Sequence, residues 1–143
     1  MEWREKMDFE ALRVMRNEHN PFAQFLGIVV TEIREGYAVS EMTVKPEYTN
    51  PVGSSHGGIL FTLADVAAGA AAASYGNYAV TVSSEYHYLK SAAEGHTIEA
   101  IAGTVKSGKS IIVLNVDVVD KEEKQQLGTA CITYFRLDKE IKC

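Results

Sequence analysis

The stretch from Asn50 to Gly76, NPVGSSHGGILFTLADVAAGAAAASYG, limits what this chain can fold into more than any other. It opens with turn chemistry: Asn50-Pro51, then Gly53 and two serines. His56-Gly57-Gly58 follows, and then roughly five turns of small, apolar residues that Gly76 brings to an end. Between Gly57 and Ser74 a single residue is charged, Asp65. A helix that is apolar all round is a buried helix. A carboxylate inside it is costly unless it is paired or put to use. The stretch is nearly long enough to span a bilayer. Its Ala and Gly content, its mid-helix Asp and its lack of flanking Lys or Arg point instead to the core of a domain.

Elements of other periods surround this helix. Residues 8–18 (DFEALRVMRNE) set Phe9, Leu12 and Met15 or Arg16 at helical spacing, which predicts an amphipathic helix on the outside of the domain. Asn20-Pro21 starts a new turn, and FAQFLG reads as one more short helical turn. Ile28–Ile33 and Tyr37–Val44, joined at Glu35-Gly36, predict two strands. Four more strands are expected after the helix: Tyr78–Leu89, Thr97–Val105, Ile112–Val118 and Leu127–Leu137. Ser107-Gly108 reads as a two-residue hairpin turn. The polar run Asp120–Gln126 reads as the next turn. An antiparallel sheet of five or six strands then has one apolar face, and the long helix covers it. The helix's outer surface is still apolar, and a second subunit is the simplest cover.

At 143 residues the chain is expected to be one domain, residues 1–143, with residues 1–20 as a helical extension. Its net charge of −5 argues against general nucleic-acid binding. Cys131 and Cys143 have neither disulfide nor zinc spacing, and His87, His96 and Cys131 lack ligand spacing, so no metal is expected. The charged start, MEWREKMDFE, lacks the apolar run of a signal peptide, and a cytoplasmic location is expected.

Each candidate residue has a chemical reading beside a structural one. Gly57 falls at the N-terminus of the long helix, where unpaired N–H groups and the helix dipole favour negative charge. That suits a developing oxyanion, although Gly57-Gly58 would also permit close packing. Asp65 caps nothing, and its sequence neighbours include no cation. The cost of charging it in an apolar setting would make it a better base. Its structural reading is a bond to a partner backbone. His56 is a cap or a ligand contact, and Asn50 either organises its turn or meets a substrate oxygen. Gly53-Ser54-Ser55-His56-Gly57 matches a nucleophile elbow, but that motif needs a strand running straight into a helix in a doubly wound sheet. Asn50-Pro51 and the missing βαβ alternation count against Ser55.

The pattern Asn50-x-x-Gly53-x-x-His56-Gly57-Gly58, then Asp65, then Ala79-Val80-Thr81, resembles the hotdog-fold acyl-CoA thioesterases of the phenylacetic-acid-degradation type, within the thioesterase superfamily. The similarity runs from about Phe22 to Phe135 and includes Lys106-Ser107-Gly108-Lys109. Ser91-Ala92 departs from the Pro-Ala often found in a turn of that family. The resemblance implies an α+β hotdog fold, an antiparallel β-sheet wrapped around one long central α-helix. It implies hydrolysis of an acyl-CoA to free acid and coenzyme A, with no separate cofactor. Asn50, His56 and the Gly57 amide would surround the thioester carbonyl, with Gly58 beside them. Asp65 would be base or nucleophile, with Thr81 next to it. Lys90, Lys106 and Lys109, otherwise solvated turn residues, could meet the phosphates of coenzyme A. The alternatives are a non-catalytic acyl-CoA-binding module and a hotdog enoyl-CoA hydratase. The latter usually sets a His five residues after the Asp, where this chain has Ala70.

The resemblance also implies dimers with their helices packed antiparallel, or dimers of dimers. Asp65 lies eight residues beyond Gly57, or about 12 Å along the helix, too far for one side chain to reach a carbonyl at that end. A second helix would bring its own Asp65 to the first Gly57. Phe61, Ala68, Gly69 and Ala72 share the Asp65 face, and the small residues among them are expected to allow close approach.

Overall fold

The computed structural model describes residues 7–143, so the first six residues of the expected extension lie outside the described residues. Two short helices come first, α1 (Phe9–Glu18) and α2 (Pro21–Phe25). Strands β1 (Val29–Arg34) and β2 (Tyr37–Thr43) follow, then a 3-10 turn at Pro46–Tyr48 and the long helix α3 (Gly57–Ala73). Strands β3 (Asn77–Tyr88), β4 (Thr97–Ser107), β5 (Ile111–Asp120) and β6 (Gln125–Glu140) complete the chain. Each pairing is antiparallel, in the order β1-β2-β4-β5-β6-β3. Among the described residues no helix is long and apolar enough to cross a membrane.

The sheet curls around α3 because alternate residues along its central strands are apolar and face inward. Ile98, Ala100 and Ala102 on β4 meet Ile112, Leu114, Val116 and Val118 on β5, and Ala130, Ile132 and Tyr134 continue the row on β6. All of these are buried with twelve residues of α3, among them Leu60, Leu63 and the alanines at 67, 68 and 70–73. Alanine lets the strands approach the helix closely. Ser40, facing inward on β2, ties sheet to helix by donating to the Leu63 carbonyl at 2.9 Å.

Helix α1 is the amphipathic outer helix expected, with Leu12 as its one buried residue, and from it Arg16 reaches the surface of α3 at Gly69. Two expectations need correction. The β4–β5 turn is longer than two residues, since Ser107 still pairs with Ile112. A two-residue type I′ turn needs positive φ at both central residues, and Gly108 does not adopt it. Ala68 and Ala72 are buried inside their own chain and offer no surface to a second helix. The part of α3 left accessible lies in its first half: Gly58, Phe61, Thr62 and Asp65.

Among the described residues, strand β3 stands at the end of the sheet and pairs with β6 alone. Residues 80–83 are exposed on both faces of the strand, Val80 at 49% and Val82 at 58%.

Candidate active site

The loop before α3 is built around Asn50. Its Oδ1 accepts from the N–H groups of Val52 and Ser54, both at 3.1 Å, and its Nδ2 donates to Ser54 Oγ and the Ser55 carbonyl. The Asn50 amide is thus engaged in shaping the turn. Ser55 is buried, and its Oγ accepts from the Ala92 N–H at 2.9 Å. That removes it as an elbow nucleophile: its oxygen is turned into the fold.

His56 caps α3. Its Nδ1 accepts from the Gly58 N–H at 2.8 Å, so the neutral ring carries its proton on Nε2. Ile59 N–H donates to the His56 carbonyl. Among the described residues nothing accepts from the Gly57 N–H. The helix end therefore keeps one main-chain donor free, with the exposed His56 ring beside it. Both glycines sit in tight quarters. A Cβ on Gly58 would lie 3.0 Å from His56 Nδ1, and one on Gly57 would lie 3.0 Å from the Tyr88 ring. Tyr88 also donates to the Gly57 carbonyl at 3.0 Å, holding the first turn in place. Its ring packs on Tyr86 (centroids 4.3 Å apart), which packs on Phe61 at 6.5 Å, so an aromatic wall runs along the free half of α3.

Asp65 projects from that half and is half-buried, not enclosed as its sequence setting suggests. Its Oδ1 accepts from Thr81 Oγ1 at 3.2 Å and from Tyr134 Oη at 2.5 Å. Thr81 and Tyr134 are direct cross-strand partners on β3 and β6, and the register slips just beyond them, between Thr81 and Ser83. Such a bulge re-aims side chains on an edge strand. Burial first, and then the charge and hydrogen bond of Asp65, hold the Tyr134 phenol well above its ordinary range, so it keeps its proton and donates. Among the described residues nothing donates to Asp65 Oδ2. The site so formed has an open carboxylate oxygen on mid-helix and an open N–H with an imidazole donor at the helix start. Thioester hydrolysis needs those two elements: a base or nucleophile, and donors for an oxyanion.

The lysines divide. Lys90 follows Tyr88 near the Gly57 end, but its Nζ is bound to Glu123 at 2.9 Å and to Gln125. Lys106 and Lys109 are exposed on the β4–β5 hairpin. Thr104, at its base, bonds Tyr75, just past the end of α3. Within one chain the hairpin is therefore near the far end of a helix about 25 Å long.

Tyr134, Tyr88 and Arg16 were missed as functional candidates. Tyr134 had a signal: it continues the inward row of Ala130 and Ile132. Arg16 had one too, being four residues after Leu12 on the apolar face of α1. His96, Asp120 and Glu122 also come together, with ligand atoms within 4.8 Å of one another. All three are engaged. His96 Nδ1 bonds Asp120 Oδ2 at 2.8 Å, Asp120 Oδ1 accepts from the N–H groups of Glu122 and Glu123, and Glu122 accepts from the Thr97 N–H.

Residues 52–126 match the Thioesterase superfamily, and the chain belongs to that family, with its hotdog fold. The acyl-coenzyme A thioesterase PaaI of Escherichia coli is 36% identical over 107 residues, covering 75% of this chain and 76% of that protein. The acyl-coenzyme A thioesterase 13 of Homo sapiens is 31% identical over 115 residues, covering 78% and 81%. The solved structure of Escherichia coli PaaI aligns with a TM-score of 0.88 at 29% identity, over 93% of this chain and 96% of that one. A Streptococcus mutans protein solved bound to acetyl CoA aligns at 0.75 with 31% identity, over 80% and 91%.

Proposed function

We propose that the protein hydrolyses an acyl-CoA thioester to a free acid and coenzyme A, with Asp65 as base or nucleophile. One observation carries the assignment of roles: Asp65 has one carboxylate oxygen held by Thr81 and Tyr134 and the other open. A group fixed at one oxygen and free at the other is suited to take a proton from water or to attack a carbonyl. The free Gly57 N–H, with His56 Nε2–H beside it, would hold the carbonyl oxygen as charge develops on it. Asn50 contributes by shaping the loop that sets this helix end. No redox cofactor or metal is called for, since coenzyme A arrives as part of the substrate. The free thiols Cys131 and Cys143 fit a reducing cytoplasm.

Asp65 and Gly57 of one chain are about 12 Å apart along α3, so we assign each working site to two chains. The accessible first half of α3 and the open edge of β3 supply the contact surface. An antiparallel mate would bring its hairpin lysines, Lys106 and Lys109, toward the Gly57 end, where the phosphates of coenzyme A would need cations.

The test is thiol release from a panel of acyl-CoAs, run on mixed chains. Asp65→Asn subunits are exchanged with Asn50→Ala subunits, each inactive alone. Random exchange makes half the pairs hybrids with one intact site, so activity returns to roughly a quarter of wild type. Verified exchange with no recovery rules out the shared site. No turnover by wild type on any thioester leaves a binding module instead.

A further inference from the structure

Helix α1 brings a cation to the catalytic helix that the sequence near Asp65 does not contain. A Cβ placed on Gly69 would lie 3.1 Å from Arg16 Nη2 and 3.3 Å from Tyr134 Oη. The guanidinium and the phenol oxygen therefore both lie against the bare backbone of α3, one turn beyond Asp65, close enough for charge to act between them though not hydrogen-bonded to each other. The phenol's single proton lies between two oxygens of Asp65, Oδ1 at 2.5 Å and the main-chain carbonyl at 2.9 Å, so its own lone pairs stay available to a nearby cation. Arg16 has donors and no acceptor. Around this wedge the charged and titratable groups are Asp65 on α3, Arg16 on α1, Tyr134 on β6 and Tyr78 on β3, with His19 one turn along α1. Among the described residues, Asp65 is the carboxylate whose charge acts on Arg16. Burial holds the Arg16 guanidinium below its ordinary range, yet an arginine keeps its charge.

We propose that Arg16 and Tyr134 are positioning residues: Arg16, by its positive charge beside Gly69, braces the Tyr134 hydroxyl, and that hydroxyl fixes one oxygen of Asp65 so that the other faces the substrate. The proposal rests on the reading of Asp65 as base or nucleophile. Neither residue touches the reacting atoms. Their effect is on orientation, so it falls on turnover and not on substrate affinity.

A cavity of about 160 Å³, lined by Met15, Arg16, His19, Asn20 and Tyr78, lies beside the Arg16 side chain. It supplies the experiment. Truncating Arg16→Ala enlarges this cavity, and guanidinium added to the medium has a route to the vacated position.

Steady-state kinetics are measured for Asp65→Asn, Tyr134→Phe, Arg16→Ala, Arg16→Lys and the Arg16→Ala/Tyr134→Phe pair. Tyr134→Phe loses one oxygen and keeps the packing. It should lower kcat roughly 10- to 100-fold with KM nearly unchanged, the scale of a misplaced catalytic group. Arg16→Ala should lower kcat about tenfold, Arg16→Lys less, and the double variant no more than Tyr134→Phe, since both act through one bond. Millimolar guanidinium should restore Arg16→Ala and leave Tyr134→Phe unchanged. Wild-type kcat in Arg16→Ala, or a loss there that neither guanidinium nor lysine restores, overturns the proposal. If Arg16→Ala does not fold, a KM effect or wild-type kcat in Tyr134→Phe does the same. Turnover retained by Asp65→Asn defeats the underlying reading instead, whatever the other variants do.

Discussion

Asp65 and Asp120 are both aspartates set among apolar neighbours, and the fold uses them in opposite ways. Asp120 closes the inward row Ile112, Leu114, Val116, Val118 of β5 and is 1% exposed. Both of its oxygens are occupied, one by His96 and the other by two main-chain N–H groups. Asp65 is more exposed, yet it accepts on one oxygen only. Burial alone would rank Asp120 as the more unusual carboxylate. Spare acceptor capacity ranks Asp65 first. On the proposed reading of Asp65, what separates a reactive carboxylate from a structural one is whether its lone pairs are already committed.

The largest consequence is at Asp65. Asp65→Asn should leave the circular dichroism spectrum and Tm near wild type and lower kcat at least about 100-fold, the usual scale for a lost general base. A folded variant with near-normal turnover would erase the contrast. Asp120→Ala should do the reverse. It leaves His96 and two main-chain N–H groups without an acceptor, a cost of about 1–3 kcal/mol. Thermal denaturation should show Tm falling by roughly 4–10 °C for a chain of this length. Its kcat/KM at a temperature well below that Tm should match wild type.

A smaller effect sharpens the Asp120 side. The bond to Asp120 raises the His96 imidazolium above its ordinary range. That stabilisation is full below about pH 6.5 and fades as pH rises through the folded-state value. For Asp120, burial pushes upward, but the His96 bond and the N–H groups of Glu123 and Glu122 leave it below the usual carboxylate range. Its contribution is full above about pH 4 and fades as pH falls through the folded-state value. The pair thus stabilises most between about pH 4 and 6.5. His96→Gln should lower Tm more at about pH 5.5 than at about pH 8.5, and equal losses would show that the bond carries no charge. The smallest effect belongs to Ser55→Ala. Turnover should stay within a few-fold of wild type, with a loss near 1 kcal/mol for the unpaired Ala92 N–H. A dead enzyme there would reopen the serine as a participant.

The helix, its glycine start and the order of strands were legible because each rests on local pattern: an unbroken apolar run, a cap beside glycines, alternation of period two. Gly57, Asp65 and Thr81 came from that pattern joined to a family resemblance, and Thr81 does lie against Asp65. The companions of Asp65 were hidden by distance along the chain. Tyr134 is 69 residues away, and Arg16 arrives on a helix that looked peripheral. Polarity puts Asp120 in a turn, but parity makes it the fifth inward position of β5, and the His96 bond together with the N–H groups of Glu122 and Glu123 makes that tolerable. The Ser107-Gly108 turn misled because a two-residue signal says nothing about φ.

Strand β3 offers twelve residues of main chain whose outer side has no partner among the described residues, with Val80 and Val82 exposed on the strand. An edge of that length is a template for growth: any extended segment could dock, present a fresh edge and invite the next. Pairing with the same strand of a second copy about a twofold axis consumes both edges at once and leaves nothing to propagate. On the two-chain reading, a newly made chain would face a race between mating and polymerising. Dilution slows mating, and a charge introduced at Val82 would slow both. On the two-chain reading proposed above, the association that completes a catalytic centre would also serve as the stop signal that keeps this edge from growing into fibres.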